Sequence, residues 1–357
     1  MNPATSLFLD LLRVFAAVGV VLVHTGTTRF SPVLALDPAV GHYCVVVFFV
    51  LSGYVIAHAT FSRPQTVASY AIARLARLYS VLLPALLISA ALLIAGRAIN
   101  PAFYASFDRG HEPLRFGLSL VFLNESWSLS AAPPTNSPLW SLAYEFWYYA
   151  LFGAWVFTRS RLAAALLCAG IAVLIGPKIL LLLPAWLLGV AAQRLAGRAR
   201  LHPSAAKVGL GATLAAIALW LRYGGPFPGK VGYPPYFFSN AWISDFVLGV
   251  LVASLIVFFH QASAQWRFPS VVSVPIRSGA NMTFSLYLLH HPILVFLAAA
   301  LTYDHTSRTQ TGLLLITLFL LVALVSAVTE ARRHTLAGWL RRALDVASGM
   351  PRPAPAK

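Results

Sequence analysis

Ten apolar runs recur along the 357-residue chain. Each is long enough, or nearly so, to cross the roughly 30 Å hydrocarbon core of a bilayer. They fall at about 7–25, 40–59, 79–96, 138–157, 162–176, 178–193, 208–222, 240–260, 280–300 and 311–330. In lipid every backbone N–H and C=O must be satisfied, which leaves only helices and closed barrels. Continuous runs of this length specify helices. The expectation is an all-α, polytopic integral membrane protein with about ten transmembrane helices. Runs five and six are short and split by Gly176-Pro177.

Composition agrees. Charged residues make up 10% of the chain, against about 25% in a soluble domain. The formal net charge is +16, but the arginines recur between apolar runs and are not gathered in one basic domain. That is the positive-inside pattern, and it argues against nucleic acid as a partner. With the N-terminus in the cytoplasm, seventeen Lys and Arg fall on that side and eight on the other. Both termini are therefore expected in the cytoplasm. Residues 1–330 read as one transmembrane domain, and 331–357, ending PRPAPAK, as a basic, unstructured cytoplasmic tail. Cys44 and Cys168 lie in apolar runs with no CxxC or Cys/His spacing, so buried thiols and no metal site are expected. The first run has no basic flank before it and no small-residue cleavage site after it, so it reads as a retained helix. Two long outer loops remain. Residues 97–137 contain a stretch, 114–123, suited to a short helix; residues 223–239, rich in Gly, Pro and aromatics, could pack as a lid. No inverted repeat of the transporter kind is visible.

Ionisable groups at membrane depth are costly and face a bundle interior or a wet cavity, so they are where chemistry is sought. Arg13 and His24, in LDLLRVFAAVGVVLVH, are eleven residues apart. That is close to three turns, so both project from one face, roughly 16 Å apart along the axis. Asp10 precedes Arg13 by three, the spacing of a helical ion pair. Arg74 and Arg77, in RLAR at the inner end of the third run, set two guanidiniums side by side, which suits phosphate; a membrane anchor is the plainer account. Glu145, in PLWSLAYEFWYY, falls about two turns below the outer surface, at a depth similar to His24. Asp245, in SNAWISDFVLG, sits at a comparable depth and is a second candidate partner for that histidine. Ser52-Gly53, in FFVLSGY, permits close helix approach. Tyr287, His290 and His291 lie in FSLYLLHHP, just before Pro292.

Five of these stretches, in this order, resemble membrane-bound acyltransferase family 3, which includes O-antigen, exopolysaccharide and peptidoglycan O-acetyltransferases. They are LDLLR with Arg13 followed by ten residues and His24, FFVLSGY at 48–54, RLAR at 74–77, LWSLAYEFWYY at 139–149 and FSLYLLHHP at 284–292. Each is short, but together they span nearly the whole chain. Runs five to eight match by hydropathy alone, and the hydrolase-like carboxy-terminal domain of some members is not expected here.

The resemblance implies transfer of an acyl group, acetyl in most members, from cytoplasmic acyl-CoA to a hydroxyl across the bacterial inner membrane. The implied acceptor is an envelope or exported carbohydrate. It implies His24 as the catalytic base, an essential Arg13, Arg74 and Arg77 as the grip on CoA, and Glu145 as the glutamate of the WSLxxE motif. No bound cofactor is implied; acyl-CoA is a co-substrate, and membrane lipids surround the chain. On physical grounds Arg13 is too far along the helix from His24 to act on the same atom and is assigned to CoA, while Glu145 would orient His24 or stabilise its cation. Ser52, Ser141 and Tyr287 stand open as oxyanion donors, with Asp10, Asp245 and His290 as supporting residues. Three other readings stay open: a transporter using the same charges as a path, a small metabolite or glycolipid as acceptor, and a scaffold in an export complex.

Overall fold

The computed structural model describes residues 1–225 and 234–347; residues 226–233 of the expected lid and the PRPAPAK end lie outside the described residues. The described residues form helices α1 (Pro3–Thr25), α2 (Pro38–Phe61), α3 (Val67–Ile99), α4 (Pro101–Ala105), α5 (Glu112–Leu120), α6 (Trp140–Phe157), α7 (Arg161–Ile175), α8 (Pro177–Leu181), α9 (Leu183–Arg198), α10 (Pro203–Tyr223), α11 (Trp242–Ala262), α12 (Ser270–Ala280), α13 (Thr283–Ala300), α14 (Arg308–Val328) and α15 (Arg333–Ala347). Local chemistry starts several of them. Asn2 accepts from the Thr5 amide with Pro3 at the first helical position, and Asp37 accepts from the Ala39 amide ahead of Pro38, the usual cap-then-proline entry.

All ten apolar runs fall on helices. Among the described residues eight helical stretches are long and apolar enough to cross a membrane: α1, α2, α3, α8 with α9, α10, α11, α13, and α14 with α15. The difference from ten lies in α6, whose eighteen residues include Glu145 and several Trp and Tyr, and in α7, which has only fifteen. The protein is a multi-pass membrane protein.

Two boundaries move relative to the sequence reading. Helix α3 begins at Val67, set by a reciprocal Thr66–Ser69 capping box. Arg74 and Arg77 therefore lie inside a helix and not at its end. The tail is not unstructured from 331. Residues Arg333–Ala347 form α15, which packs against α3. Leu336, Ala337 and Leu340 recur there at helical spacing and are half-buried, while Arg341 and Arg342 are exposed.

The tightest helix pair is α2 with α9. A Cβ on Gly53 would stand 2.0 Å from the Trp186 carbonyl oxygen, and one on Gly189 would stand 1.9 Å from that of Val50. The two backbones touch through paired glycines, the small-residue packing that lipid favours. The 97–137 loop contains α5, close to the expected short helix, and is tied down beyond it. The Trp127 amide donates to Ile175 O at 2.8 Å. Lys178 Nζ donates to Glu125 Oε2 at 2.6 Å, with both side chains fully buried. Burial pushes the Glu125 carboxyl up to about 7, with Lys178 opposing part of the rise. Asn2 bonds to His260 and Glu330 to Ser285, tying the N-terminus to the end of α11 and the start of α13 to the end of α14.

Candidate active site

A cavity of about 80 Å³ opens among α1, α2, α3, α6 and α13. At roughly 10–15 Å³ for each water centre it holds a handful of waters. Its polar lining includes Arg13, Arg74, Arg77, Ser52, Glu145 and Tyr149. Arg13 keeps its expected ion pair with Asp10, at 3.3 Å. Arg74 lies over the Tyr70 ring and Arg77 over the Phe284 ring, each 5.7 Å from the centroid. The Arg74 Nε is buried without a partner. Three guanidiniums thus meet at one cavity.

Glu145 faces this end. Its Oε1 accepts from Ser52 Oγ at 2.7 Å and from the Tyr149 hydroxyl one turn on. Ser52 also receives the Trp186 Nε1–H at 3.2 Å, so one hydroxyl joins α2, α6 and α9. The expectation that Glu145 orients His24 is not met. Its carboxylate is engaged with hydroxyls in the arginine cavity. Asp245 is not the partner of His24 either; it bonds to His42 at 2.9 Å.

The partner of His24 is His290. The His24 Nδ1 and His290 Nε2 lie 2.8 Å apart. His290 Nδ1 lies 3.0 Å from Leu286 O, and His291 Nδ1 lies 2.7 Å from Thr135 O. A carbonyl oxygen only accepts, so both Nδ1 atoms carry hydrogen. In the neutral network His290 Nε2 is then an acceptor and must receive its hydrogen bond from His24 Nδ1–H. The tautomer of His24, assigned in this way from its partners, leaves Nε2 as the basic nitrogen. Among the described residues no three His, Cys, Asp or Glu side chains are grouped to hold a metal ion.

Between the two ends lies a layer made by Phe48, Tyr287 and Ser141. The Phe48 and Tyr287 rings meet edge to face at 5.6 Å, and the Tyr287 and Ser141 hydroxyls are 2.7 Å apart. Ser141 also reaches Pro138 O at 3.4 Å, so with that bond made Tyr287 donates to Ser141. Ser52 donates to Glu145. None of these three hydroxyls stands free as an oxyanion donor in this arrangement.

The sequence reading missed three groups. Tyr149 follows Glu145 by four residues on one helix face, and that spacing could have shown it. Glu330 accepts from the Ser285 amide at 3.0 Å and its hydroxyl at 2.8 Å. It caps the first turn of α13, whose Thr283 and Phe284 line the arginine cavity. The Thr135 carbonyl comes from a loop that carries no local signal for such a role.

The bundle thus gathers three guanidiniums around one cavity and holds an oriented imidazole at the far end of α1. The acyltransferase domain model matches residues 6–330, nearly the whole chain, and the chain belongs to this membrane acyltransferase family 3. No curated protein and no solved structure matches.

Proposed function

We propose that this membrane O-acyltransferase takes an acyl group, acetyl in the simplest case, from acyl-CoA at the arginine end and delivers it at the histidine end to a hydroxyl of an envelope or exported carbohydrate. The arginine end faces the cytoplasm of a bacterium, and the membrane is the inner one. The observation that carries the reading is the axis itself. Arg13 and His24 stand on one face of α1, with Arg74 and Arg77 gathered around the first and a tautomer-setting partner bonded to the second.

The chemistry follows from the two ends. The 3′-phosphate and pyrophosphate of CoA suit clustered guanidiniums, including the unused Arg74 Nε. The pantetheine arm then runs toward the Phe48–Tyr287 layer, which has to part, since the cavity is too small for the arm. His24 Nε2 removes the proton from the acceptor hydroxyl as its oxygen attacks the thioester carbonyl carbon. The C–S bond breaks, and the CoA thiolate takes the proton from the His24 imidazolium. During the step the imidazolium donates through Nδ1 to His290 Nε2. That is the base-and-orienter arrangement, with a neutral ring in place of a carboxylate. Glu145, with Tyr149 and Ser52, spaces the three guanidiniums.

The experiment is proton NMR of envelope polysaccharide from cells lacking this protein, complemented with wild type or His24→Ala. Base-labile O-acyl signals restored by wild type alone support the reading. Restoration by both proteins removes His24 from catalysis, and no O-acyl difference in any strain removes the polysaccharide as acceptor.

A further inference from the structure

His42 and Asp245 have no part in the axis described above. Asp245, in the first turn of α11, is fully buried, and its Oδ1 stands 2.9 Å from His42 Nε2. With Asp245 Oδ1 as the acceptor, His42 Nε2 carries the hydrogen and Nδ1 is left as an acceptor. The imidazole is the reachable half of the pair: its side chain is 23% exposed, that of Asp245 not at all. The ring stacks on the Trp140 indole at 6.0 Å, and that indole stacks on Phe238 at 4.3 Å.

Two further observations point to a ligand. Asp245 Oδ2 is buried and has no hydrogen-bond partner. A bare carboxylate oxygen in the interior is costly, so this oxygen is open to a donor. The pair also lies at the depth of His24. Gly41 packs against Val23, with its built Cβ 3.1 Å from that side chain, so His42 lies level with His24 on the neighbouring helix. Val45, Phe49 and Ser52, three, seven and ten residues on, continue its side of α2 down the cavity wall. A tie between α2 and α11 accounts for the His42–Asp245 bond. It does not account for the open Nδ1 or the bare Oδ2.

We infer that His42 and Asp245 form the acceptor subsite of the acyl-transfer reaction, built for a polyhydroxylated sugar. The inference rests on the acyl-transfer reading above. His42 Nδ1 accepts from one sugar hydroxyl, and Asp245 Oδ2 accepts from a second through a bridging water, while His24 activates a third. Asp245 is a positioning residue, since it also holds His42 in the accepting tautomer. The site asks for several donors on neighbouring carbons, which a sugar has and a monohydroxy alcohol lacks.

The test uses the full-length protein in lipid nanodiscs with acetyl-CoA as donor. The acceptor probes are the methyl glycosides of glucose, mannose and rhamnose, with 1-octanol as the monohydroxy control. CoA thiol release and ester formation are followed together with thermal stability. Wild type is expected to acylate at least one glycoside and to leave octanol unchanged. His42→Phe, which keeps the stacking on Trp140, is expected to raise the KM for that glycoside at least tenfold, out of proportion to any change in the KM for acetyl-CoA. His42→Gln, which can still donate to Asp245 and accept from a hydroxyl, recovers part of the loss, and Asp245→Asn falls between the two. An unchanged glycoside KM in His42→Phe overturns the inference. So does a parallel fall of stability and both KM values in the Phe and Gln variants, which is the signature of a structural tie. Octanol acylated as readily as the glycosides, or acetyl-CoA hydrolysed with no glycoside acylated, overturns the sugar subsite and leaves the acyl-CoA reading standing. If wild type releases no CoA in any mixture, it is the acyl-CoA reading that fails, and the subsite with it.

Discussion

The arginine end and the histidine end of the internal axis are built on different physics. At the first, three guanidiniums share a cavity with one carboxylate, and the placement of fixed charge is what counts. Small shifts are tolerable there, because an anion is attracted over several ångströms and water fills the gaps. At the second, two backbone carbonyls orient the imidazoles of His290 and His291, and His290 in turn orients His24. What counts there is which nitrogen carries a hydrogen. A binding site for a multiply charged carrier can be loose; a general base has to present one lone pair in one direction. The fold supplies charge at one end and orientation at the other.

The sharpest way to break the comparison is at the base. His24→Ala removes a nitrogen on α1 that the network leaves basic, and kcat is expected to fall by about 10² to 10⁴ with acyl-CoA binding retained. A retained kcat would mean that the orientation is not for catalysis. At the other end the opposite split is expected. Arg74→Ala or Arg77→Ala removes charge-assisted bonds worth about 1.5–3 kcal/mol each, so the KM for acetyl-CoA rises roughly tenfold to a hundredfold while kcat changes little. Lys at either position restores charge without the planar fork and recovers only part of the affinity. Titrating acetyl-CoA against each variant decides it: a fall in kcat alone would move the arginines out of carrier binding.

His290 sharpens the same contrast. His290→Phe leaves the half-buried His24 Nδ1–H without its acceptor, at a cost of about 1–3 kcal/mol. The expected loss in kcat is roughly tenfold to a hundredfold, with the KM for acetyl-CoA unchanged. His290→Gln can accept from His24 through its amide oxygen and retains more activity than the Phe variant. Equal losses in the two variants would show that the ring, and not its lone pair, is what His24 needs.

The sequence carries the axial coordinate of this site and not the angular one. Periodicity along one helix puts Arg13 and His24 on one face, and hydropathy gives each residue a depth. Depth made Glu145 and Asp245 reasonable partners for His24. Partnership also depends on how each helix is turned about its own axis, and that is set by contacts between segments 93 to 266 residues apart, such as Ser52 with Glu145 and His24 with His290. No local pattern encodes that rotation. Ser52-Gly53 shows both sides of the limit. The glycine announces a close helix approach, and α2 does meet α9 there, but nothing local says that the adjoining hydroxyl turns to Glu145. Helix α15 was hidden for another reason: its arginines outweigh the leucines that recur at helical spacing.

The last difference between the ends concerns a carboxylate away from the chemistry. At the histidine end, the loop that supplies the Thr135 carbonyl is pinned by the buried Glu125–Lys178 pair, and its removal is expected to have the smallest effect on kcat. Its effect shows in pH. Burial raises the Glu125 carboxyl from 4.5 to about 7, against the attraction of Lys178, Arg109 and Arg115. Between these values the folded protein holds a proton that the unfolded chain has released. Glu125 therefore adds stability that is complete below about pH 4.5 and is lost as the pH rises through 7. The span is at most about 3 kcal/mol. Glu125→Gln cannot titrate, so the fall in thermal stability between pH 5 and 7 should flatten in this variant, with activity at pH 7 near that of wild type. An unchanged slope would mean that the carboxylate is already ionised in the folded protein at pH 5 and that Lys178, not burial, sets its state.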